Sequence, residues 1–155
     1  MAVSINRTVA GGAAPSKETT AITPVFNSGL INVGSSVGFY YRLEDRMFMN
    51  GGFGMMGSGS SAVAVKISLP IVDGVQLTIN TAKLSGGDST TNQESTMLGS
   101  GQWFDAGTAF KDLDVLFHGT STVQFNENPG ILASSQLATG DGIKYDFSVP
   151  ISQWD

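Results

Sequence analysis

Short runs in which apolar and polar residues alternate follow one another along most of the chain. In the sharpest run every second residue from Ile143 to Ile151 is apolar, and Trp154 follows it. This period of two is typical of a strand with one face in a core. Chain termini usually fray unless a sheet or a docked helix holds them. We therefore predict that this last run is a strand tied into a sheet.

Similar alternation predicts further strands around Val37–Tyr41, Val63–Leu69, Val75–Ile79 and Leu113–Phe117. The residues that fall in phase are expected to be buried together, and they are Val65, Ile67, Leu77, Phe117, Val123, Tyr145 and Phe147. Glu44-Asp45 is a plausible two-residue hairpin turn. Residues 84–96 are almost entirely polar or glycine, which predicts a long exposed loop, and residues 126–140 are expected to be turn and loop.

Helical periodicity is absent from the sequence. Apolar residues nowhere recur at i, i+3, i+4 and i+7 over three turns, and the best candidate, near Ser95 to Leu98, is one turn long. Several short strands with turns every few residues indicate an all-β fold. The predicted architecture is an antiparallel β-sandwich or jelly-roll-like domain with an extended N-terminal arm.

The first residues have a different character. Residues 1–20 contain glycine, alanine, serine and threonine without periodicity, which predicts an arm that lacks its own core. We assign residues 1–35 to this arm and its lead-in, and residues 36–155 to the β-domain. Ile5, Val9 and Ile22 are isolated apolar residues, and we expect them to anchor the arm on a partner. The start at Met1 is expected to be a true start, without a cleavable signal peptide.

Composition makes the surface unusual. The 155 residues are 41% hydrophobic but only 14% charged, against about 25% charged in typical soluble domains. A weakly charged surface rich in serine, threonine, asparagine, glutamine and glycine suits packing against other subunits. The candidate inter-subunit contacts are the apolar residues of one methionine-rich segment, namely Phe48, Met49, Phe53, Met55 and Met56.

Charge and cysteine content exclude several classes of function. The net charge of −5 repels a phosphate backbone, so we expect no nucleic-acid partner. No apolar run approaches the ~20 residues of a membrane-spanning helix, so we expect no membrane partner. The absence of cysteine excludes disulfides and thiolate metal sites.

Candidate catalytic and metal residues are few, and we expect no catalytic site, metal or cofactor. His118 is the single histidine, so a Ser-His-Asp triad would need it together with Asp112 or Asp114; a turn histidine is the simpler interpretation. The same two aspartates are possible ligands of a hard cation, although two carboxylates at this spacing on an exposed strand are more often simply solvated. Further oxygen ligands for such a cation would come from Asn126, Glu127 or Asn128. The glycine-rich segment from Gly51 to Ser60 has no phosphate-loop spacing and is expected to be a flexible or bulged strand end.

Five short motifs occur in an order and spacing that resemble a β-domain of tailed-phage virion proteins. Those domains have a Tyr-Arg-Arg-Val-Gly-Asp-like hairpin, an Ile-Ser-Leu-Pro strand end and a closing Val-Pro-Ile-x-Gly-Trp. The matching segments here are residues 37–42 and 45–47, residues 64–70, residues 138–141 and residues 149–154. This chain departs from the pattern at Leu43-Glu44, where the family has Val-Gly, and at Gln153, where it has Gly.

The resemblance implies a structural or adhesive role in a virion, usually as a trimer. A short chain with a small-residue arm fits a capsid decoration (cement) protein that binds the major capsid protein as a homotrimer. It would be made in the host cytoplasm and located on the capsid surface. The alternative is a tail-fibre or receptor-binding tip that recognises a host glycan, for which a groove lined by Trp103, Tyr40 or Tyr41 is expected. A glycan hydrolase would need paired carboxylates across a cleft.

Overall fold

The strands of this protein begin at Thr20 and end at Pro150 in the computed structural model, which describes residues 18–26, 32–84, 96–127 and 130–155. The strands are β1 (Thr20–Ile22), β2 (Val25–Phe26), β3 (Val33–Leu43), β4 (Arg46–Met55), β5 (Lys66–Ser68), β6 (Ile71–Val72), β7 (Val75–Gln76), β8 (Met97–Phe104), β9 (Phe110–Gly119), β10 (Thr122–Asn126) and β11 (Gly142–Pro150). Short 3₁₀ turns lie at Thr81–Lys83, Ser134–Gln136 and Ser152–Trp154.

Nine strands form one antiparallel sheet in the order β1-β3-β4-β11-β8-β9-β10-β5-β2, and β6 and β7 form a separate hairpin. The predicted all-β antiparallel class is confirmed. The sheet is strongly curled and has a sandwich-like form, with one continuous sheet in place of two separate ones. The last run of alternation is β11, which is central and pairs with β4 on one side and β8 on the other.

The two edges of this sheet are joined by consecutive residues. β1 pairs with β3, and β2, which begins only three residues after β1 ends, pairs with β5 at the opposite edge. The chain changes partner at Thr23-Pro24, where proline cannot continue a ladder. Phe26 then packs edge-on against Phe53, with ring centroids 4.6 Å apart. We call residues 20–26 the seam.

The core lies inside the curl. All seven residues predicted to share it are buried, and they are Val65, Ile67, Leu77, Phe117, Val123, Tyr145 and Phe147. The predicted Glu44-Asp45 turn is also confirmed, with Glu44 at φ 55°. Residues 130–137, expected to be loop, contribute the fully buried Leu132 and Leu137, so this connection is part of the core.

Several sequence-based expectations need correction. The predicted arm and lead-in of residues 1–35 overlap the sheet, since β1, β2 and the start of β3 lie within it. In β3 the apolar residues Val37 and Phe39 are exposed, whereas Gly38 is buried. Val63 and Val75 are exposed as well. Residues 85–95 of the predicted loop lie outside the described ranges.

Candidate functional site

The outer face of the sheet presents an ordered grid of side chains from five neighbouring strands. One cross-strand row runs from β3 to β9 as Val37, Gly52, Lys144, Gln102 and Asp112. The row beside it consists of Phe39, Asn50, Asp146, Ser100 and Asp114, and a third consists of Ser35, Gly54, Gly142, Phe104 and Phe110.

Two adjoining depressions of about 370 Å³ and 670 Å³ occupy this grid and share Val37, Gln102 and Lys144 in their walls. Glycines at 52, 54 and 142 place no side chain on the floor, which leaves the space of the depression open. We call the two depressions together the outer groove.

Large apolar side chains stand at both sides of the outer groove. Val37 is 56% exposed and lies beside Phe39 on β3. On the other side the ring centroids of Phe104 and Phe110, the latter 64% exposed, are 5.2 Å apart. Exposed apolar groups that cluster on one face are typical of an interaction surface.

Polar side chains in the middle of the groove are unpaired among the residues that the structure describes. Within the described ranges, the side chains of Asn50, Gln102, Asp112, Lys144 and Asp146 make no hydrogen bond or ion pair with other described residues. Their donors and acceptors are therefore available to a ligand or partner.

A buried carboxylate supports the Phe104 side of the groove. Asp141, 4% exposed, accepts hydrogen bonds from Trp103 Nε1 at 3.1 Å, from the Ala106 amide at 3.1 Å and from the Ala138 amide at 3.0 Å. Lys111 Nζ lies 4.3 Å from the centroid of the Trp103 ring, within cation–π range. These contacts fix the end of the β8-β9 hairpin on which Phe104 and Phe110 stand.

Three of the segments that carry the phage resemblance, residues 37–42, 45–47 and 149–154, contribute side chains to a cluster at the C-terminus. Tyr40 stacks on Trp154 with centroids 6.3 Å apart, and the Arg42 guanidinium lies 4.8 Å from the same ring. Arg42 Nε also donates to the Glu44 carbonyl at 2.6 Å. The hairpin motif and the closing tryptophan therefore have a common structural role.

An ion-pair cluster completes this region. Lys83 Nζ donates to Asp45 Oδ2 at 2.6 Å and to the carboxylate of Asp155. The hydrogen bond from Lys83 is the main cause that lowers the pKa of Asp45 from its ordinary 3.8, and the bonds to Asp155 and Asp45 raise the pKa of Lys83 above its ordinary value. We call Arg42, Asp45, Lys83, Trp154 and Asp155 the C-terminal clasp.

Tyr145 lies beneath the grid with its hydroxyl unsatisfied. The hydroxyl is buried without a hydrogen-bond partner among the described residues, and burial raises the pKa of Tyr145 from 10.0 to about 12. A Cβ on Gly51 would lie 2.6 Å from this hydroxyl. The glycine at position 51 therefore provides the space that the ring occupies.

The aromatic groove expected for a glycan-binding tip is not built from the three predicted residues. Trp103 is buried with its indole N–H bonded to Asp141, and Tyr40 packs on Trp154. Tyr41 stacks on Phe48 with parallel rings 4.9 Å apart. The exposed aromatic residues that do line the outer groove are Phe39, Phe104 and Phe110.

The weak catalytic and cation candidates are not assembled into a site. Asp112, Asp114 and His118 lie on the same strand β9, so His118 is about 13 Å along the strand from the nearer aspartate at ~3.3 Å per residue. Asp114 is opposite Asn126, whose side chain accepts a hydrogen bond from Gln124. Glu127 bonds to Gln136, and Asn128 lies outside the described ranges. In the described part of the chain no group of three or more potential metal ligands is found.

The predicted inter-subunit set is corrected by burial. Met49, Phe53 and Met55 are core residues and are not available to a partner. Phe48 is half-buried against Tyr41, and Met56 is 69% exposed. The error arose because inward and outward positions of β4 were taken as one surface.

The predicted arm anchors separate into two groups. Ile22 is a strand residue of the seam, partly buried against the core, and is therefore not a free anchor. Ile5 and Val9 lie outside the described residues. Sequence reasoning also missed the outer groove, because its rows are formed across five strands and only the register brings them together.

A scan against models of known protein families matches none, and searches among curated proteins and solved structures find no significant similarity. Among the described residues, no helix is long and apolar enough to cross a membrane. The fold and the outer groove are therefore the observations on which a function is proposed.

Proposed function

We propose that the protein is a structural component of a tailed-phage virion, and specifically a capsid decoration protein that binds the major-capsid lattice as a homotrimer and strengthens the head. The observation that carries this proposal is the exposure of large apolar side chains on a domain whose core is already complete. Such side chains are typical of surfaces that become buried in an assembly. The order of the sequence motifs and the low charge content support the same role.

A second exposed apolar surface lies at the seam. Val25 and Ile71 are 61% and 66% exposed and border a depression of about 420 Å³, and Val75 of the β6-β7 hairpin is also exposed. We call these three residues the seam patch. We propose that the seam patch forms the trimer contact, in place of the methionine-rich segment that the sequence favoured.

Light scattering tests the trimer. A mass three times 16.2 kDa is expected for the wild type, and Ile71→Asp should shift the population toward monomer. Val63→Asp is the matched control, because Val63 is likewise an exposed β-branched apolar residue but lies outside the patch. This variant should leave the mass unchanged. A wild-type monomer at micromolar concentration, or dissociation by both variants alike, would count against the seam patch.

Attachment to the head is assigned to residues 1–17, in which Ile5 and Val9 are the apolar anchors. The small residues of this segment permit close backbone approach to a neighbouring surface. Undecorated capsids should co-sediment with the full chain but not with Ile5→Asp/Val9→Asp, and electron microscopy should show added surface density only with the full chain. Equal binding by the two proteins would reject the arm as anchor, and no binding by either would reject the capsid role.

A further inference from the structure

We propose that in the free protein residues 1–17 occupy the outer groove of their own domain, held by ion pairs from Arg7 and Lys17 to the groove carboxylates. This inference concerns the protein before assembly and does not depend on a virion role. The proposed occupant of the groove is the segment that precedes the described part of the chain.

Charge is divided unequally between this segment and the rest of the chain. Residues 1–17 contain Arg7 and Lys17 and no acidic residue. The other 138 residues then hold six basic and thirteen acidic side chains, a net charge of −7. The segment is therefore a cation attached to an anionic domain.

The outer groove contains a cluster of three carboxylates that are available for ion pairing. Asp112, Asp114 and Asp146 stand around the single lysine Lys144, and none of the four has an ion-pair partner among the described residues. The carboxylates of the C-terminal clasp, by contrast, already bond to Lys83. Arg46 lies on the same strand as Asn50, four residues away from it. Its guanidinium already donates to Ser148.

The apolar content of the segment also fits. Val3, Ile5 and Val9 alternate with polar or small residues at the start of the chain. Val37, Phe39, Phe104 and Phe110 flank the groove and are exposed. Covering these side chains removes apolar area from water, at roughly 25 cal/mol per Å².

The point of attachment places the segment within reach. Thr20 is paired with Tyr40 on β3, at the edge beside the groove. The centre of the groove, at Lys144 on β11, is three strand spacings and a few residues from Thr20, about 20 Å at ~4.8 Å per strand and ~3.3 Å per residue. Seventeen residues can span up to about 56 Å. A tether this short gives an effective concentration in the millimolar range, which favours the chain's own groove over that of a neighbour.

Engineered disulfides test the location directly, because the chain has no cysteine of its own. Val9→Cys is combined with Gln102→Cys in the groove, and in the control with Val63→Cys, an exposed residue outside both the groove and the seam patch. After mild oxidation, the groove pair should give an internally bridged monomer on non-reducing gels, faster than the control pair. Equal rates for the two pairs would overturn the proposal, and bridged dimers or trimers would assign the groove to the arm of another copy.

Charge exchange separates a specific contact from random collision. Arg7→Glu/Lys17→Glu should slow bridging of the groove pair roughly threefold, as expected for two exposed ion pairs, and Asp112→Lys/Asp146→Lys in the same chain should restore it. Both aspartates are exposed, and circular dichroism verifies that each variant is folded. A rate that the charge reversals do not change, or that the exchange does not restore, would contradict ion pairing as the cause.

Binding to capsids requires the same segment to leave the groove. The bridged monomer should therefore lose capsid attachment if the decoration role is correct, and regain it on reduction. The capsid assay depends on the decoration role and gives no attachment in any form if that role is wrong. The bridging rates are measured on the free protein and do not depend on that role.

Discussion

Two buried polar side chains near the start of β11 have opposite hydrogen-bonding states. Asp141 accepts three hydrogen bonds, whereas the hydroxyl of Tyr145 has no partner among the described residues. A buried polar group without a partner costs about 1–3 kcal/mol, and a satisfied one stabilises the fold. Removal of the Tyr145 hydroxyl is therefore expected to stabilise the fold, whereas removal of the Asp141 carboxylate is expected to destabilise it.

Tyr145→Phe is expected to raise the free energy of unfolding by about 1 kcal/mol, since it removes an unsatisfied hydroxyl and retains the ring. The pH dependence gives a second readout. The folded state holds the pKa of Tyr145 at about 12 against an ordinary 10.0, so this residue's contribution to stability is complete below pH 10 and is lost as the pH rises through 12.

Urea unfolding of the wild type and the phenylalanine variant at pH 7 and pH 11 measures both effects. The advantage of the variant should grow at the higher pH. A variant that is less stable than the wild type at pH 7 would show that the hydroxyl has a partner, such as a buried water.

Asp141→Ala is expected to lower the free energy of unfolding by about 3 kcal/mol, because the buried Trp103 N–H and two backbone amides lose a charged acceptor. Asp146→Ala is the control, since Asp146 is exposed and should change stability by no more than about 0.5 kcal/mol. Chemical unfolding followed by tryptophan fluorescence checks the pair. Similar losses in both variants would contradict the assigned support of the β8-β9 hairpin.

At the scale of elements, alternation predicted β11 and the β3-β4 hairpin because their apolar residues have period two over many positions. It did not predict β8, because Gly99 and Gly101 replace the inward side chains there. A Cβ at Gly101 would lie 2.7 Å from the Lys144 carbonyl. The close contact between β8 and β11 therefore excludes a larger residue at position 101, and this contact cannot be read from the sequence. In β3 the apolar residues Val37 and Phe39 face outward in the groove, so the alternation alone did not indicate which face of this strand lies in the core.

The C-terminal clasp joins three elements that are distant in sequence, and its strength should depend on pH. The lowered pKa of Asp45 means that its contribution to stability is present above about pH 4 and is lost as the pH falls through the folded pKa. The raised pKa of Lys83 means that its contribution is present below its ordinary 10.5 and is lost at higher pH.

We therefore expect Lys83→Met to lower the thermal midpoint slightly at pH 7 and to make a smaller difference at pH 3, because Asp45 takes up a proton as the pH falls. The effect should be modest because exposed ion pairs contribute little. Calorimetry at the two pH values measures the difference. An equal effect at both would assign the role of Lys83 to packing rather than charge.

At the scale of the whole molecule, the seam is the feature that sequence could not reveal. Residues 20–26 were assigned to the arm and its lead-in, yet they contain β1 and β2, the two edge strands of the nine-stranded sheet, which pair with β3 and β5. Such long-range pairing depends on the curvature of the entire sheet. Exposed edges of a sheet are templates for unwanted association, and the seam covers part of both β3 and β5.

Two truncations separate the arm from the seam. Deletion of residues 1–17 should leave a folded, soluble domain, because every described strand remains. Deletion of residues 1–26 should lower the free energy of unfolding and cause aggregation, because it uncovers two edges and removes Phe26 from Phe53. Circular dichroism and sizing compare the two proteins, and equal behaviour would contradict a closing role for the seam.

The central position of β11 sets an order for biosynthesis. Because translation proceeds from the N-terminus, β11 is the last of the eleven strands to leave the ribosome, yet it is the strand that connects β4 with β8. The nascent chain therefore holds two partial sheets, each with an unfilled inner edge, until residues 142–150 have emerged. A ribosome stalled before Gly142 should therefore carry a protease-sensitive chain that becomes resistant only when β11 is extended beyond the exit.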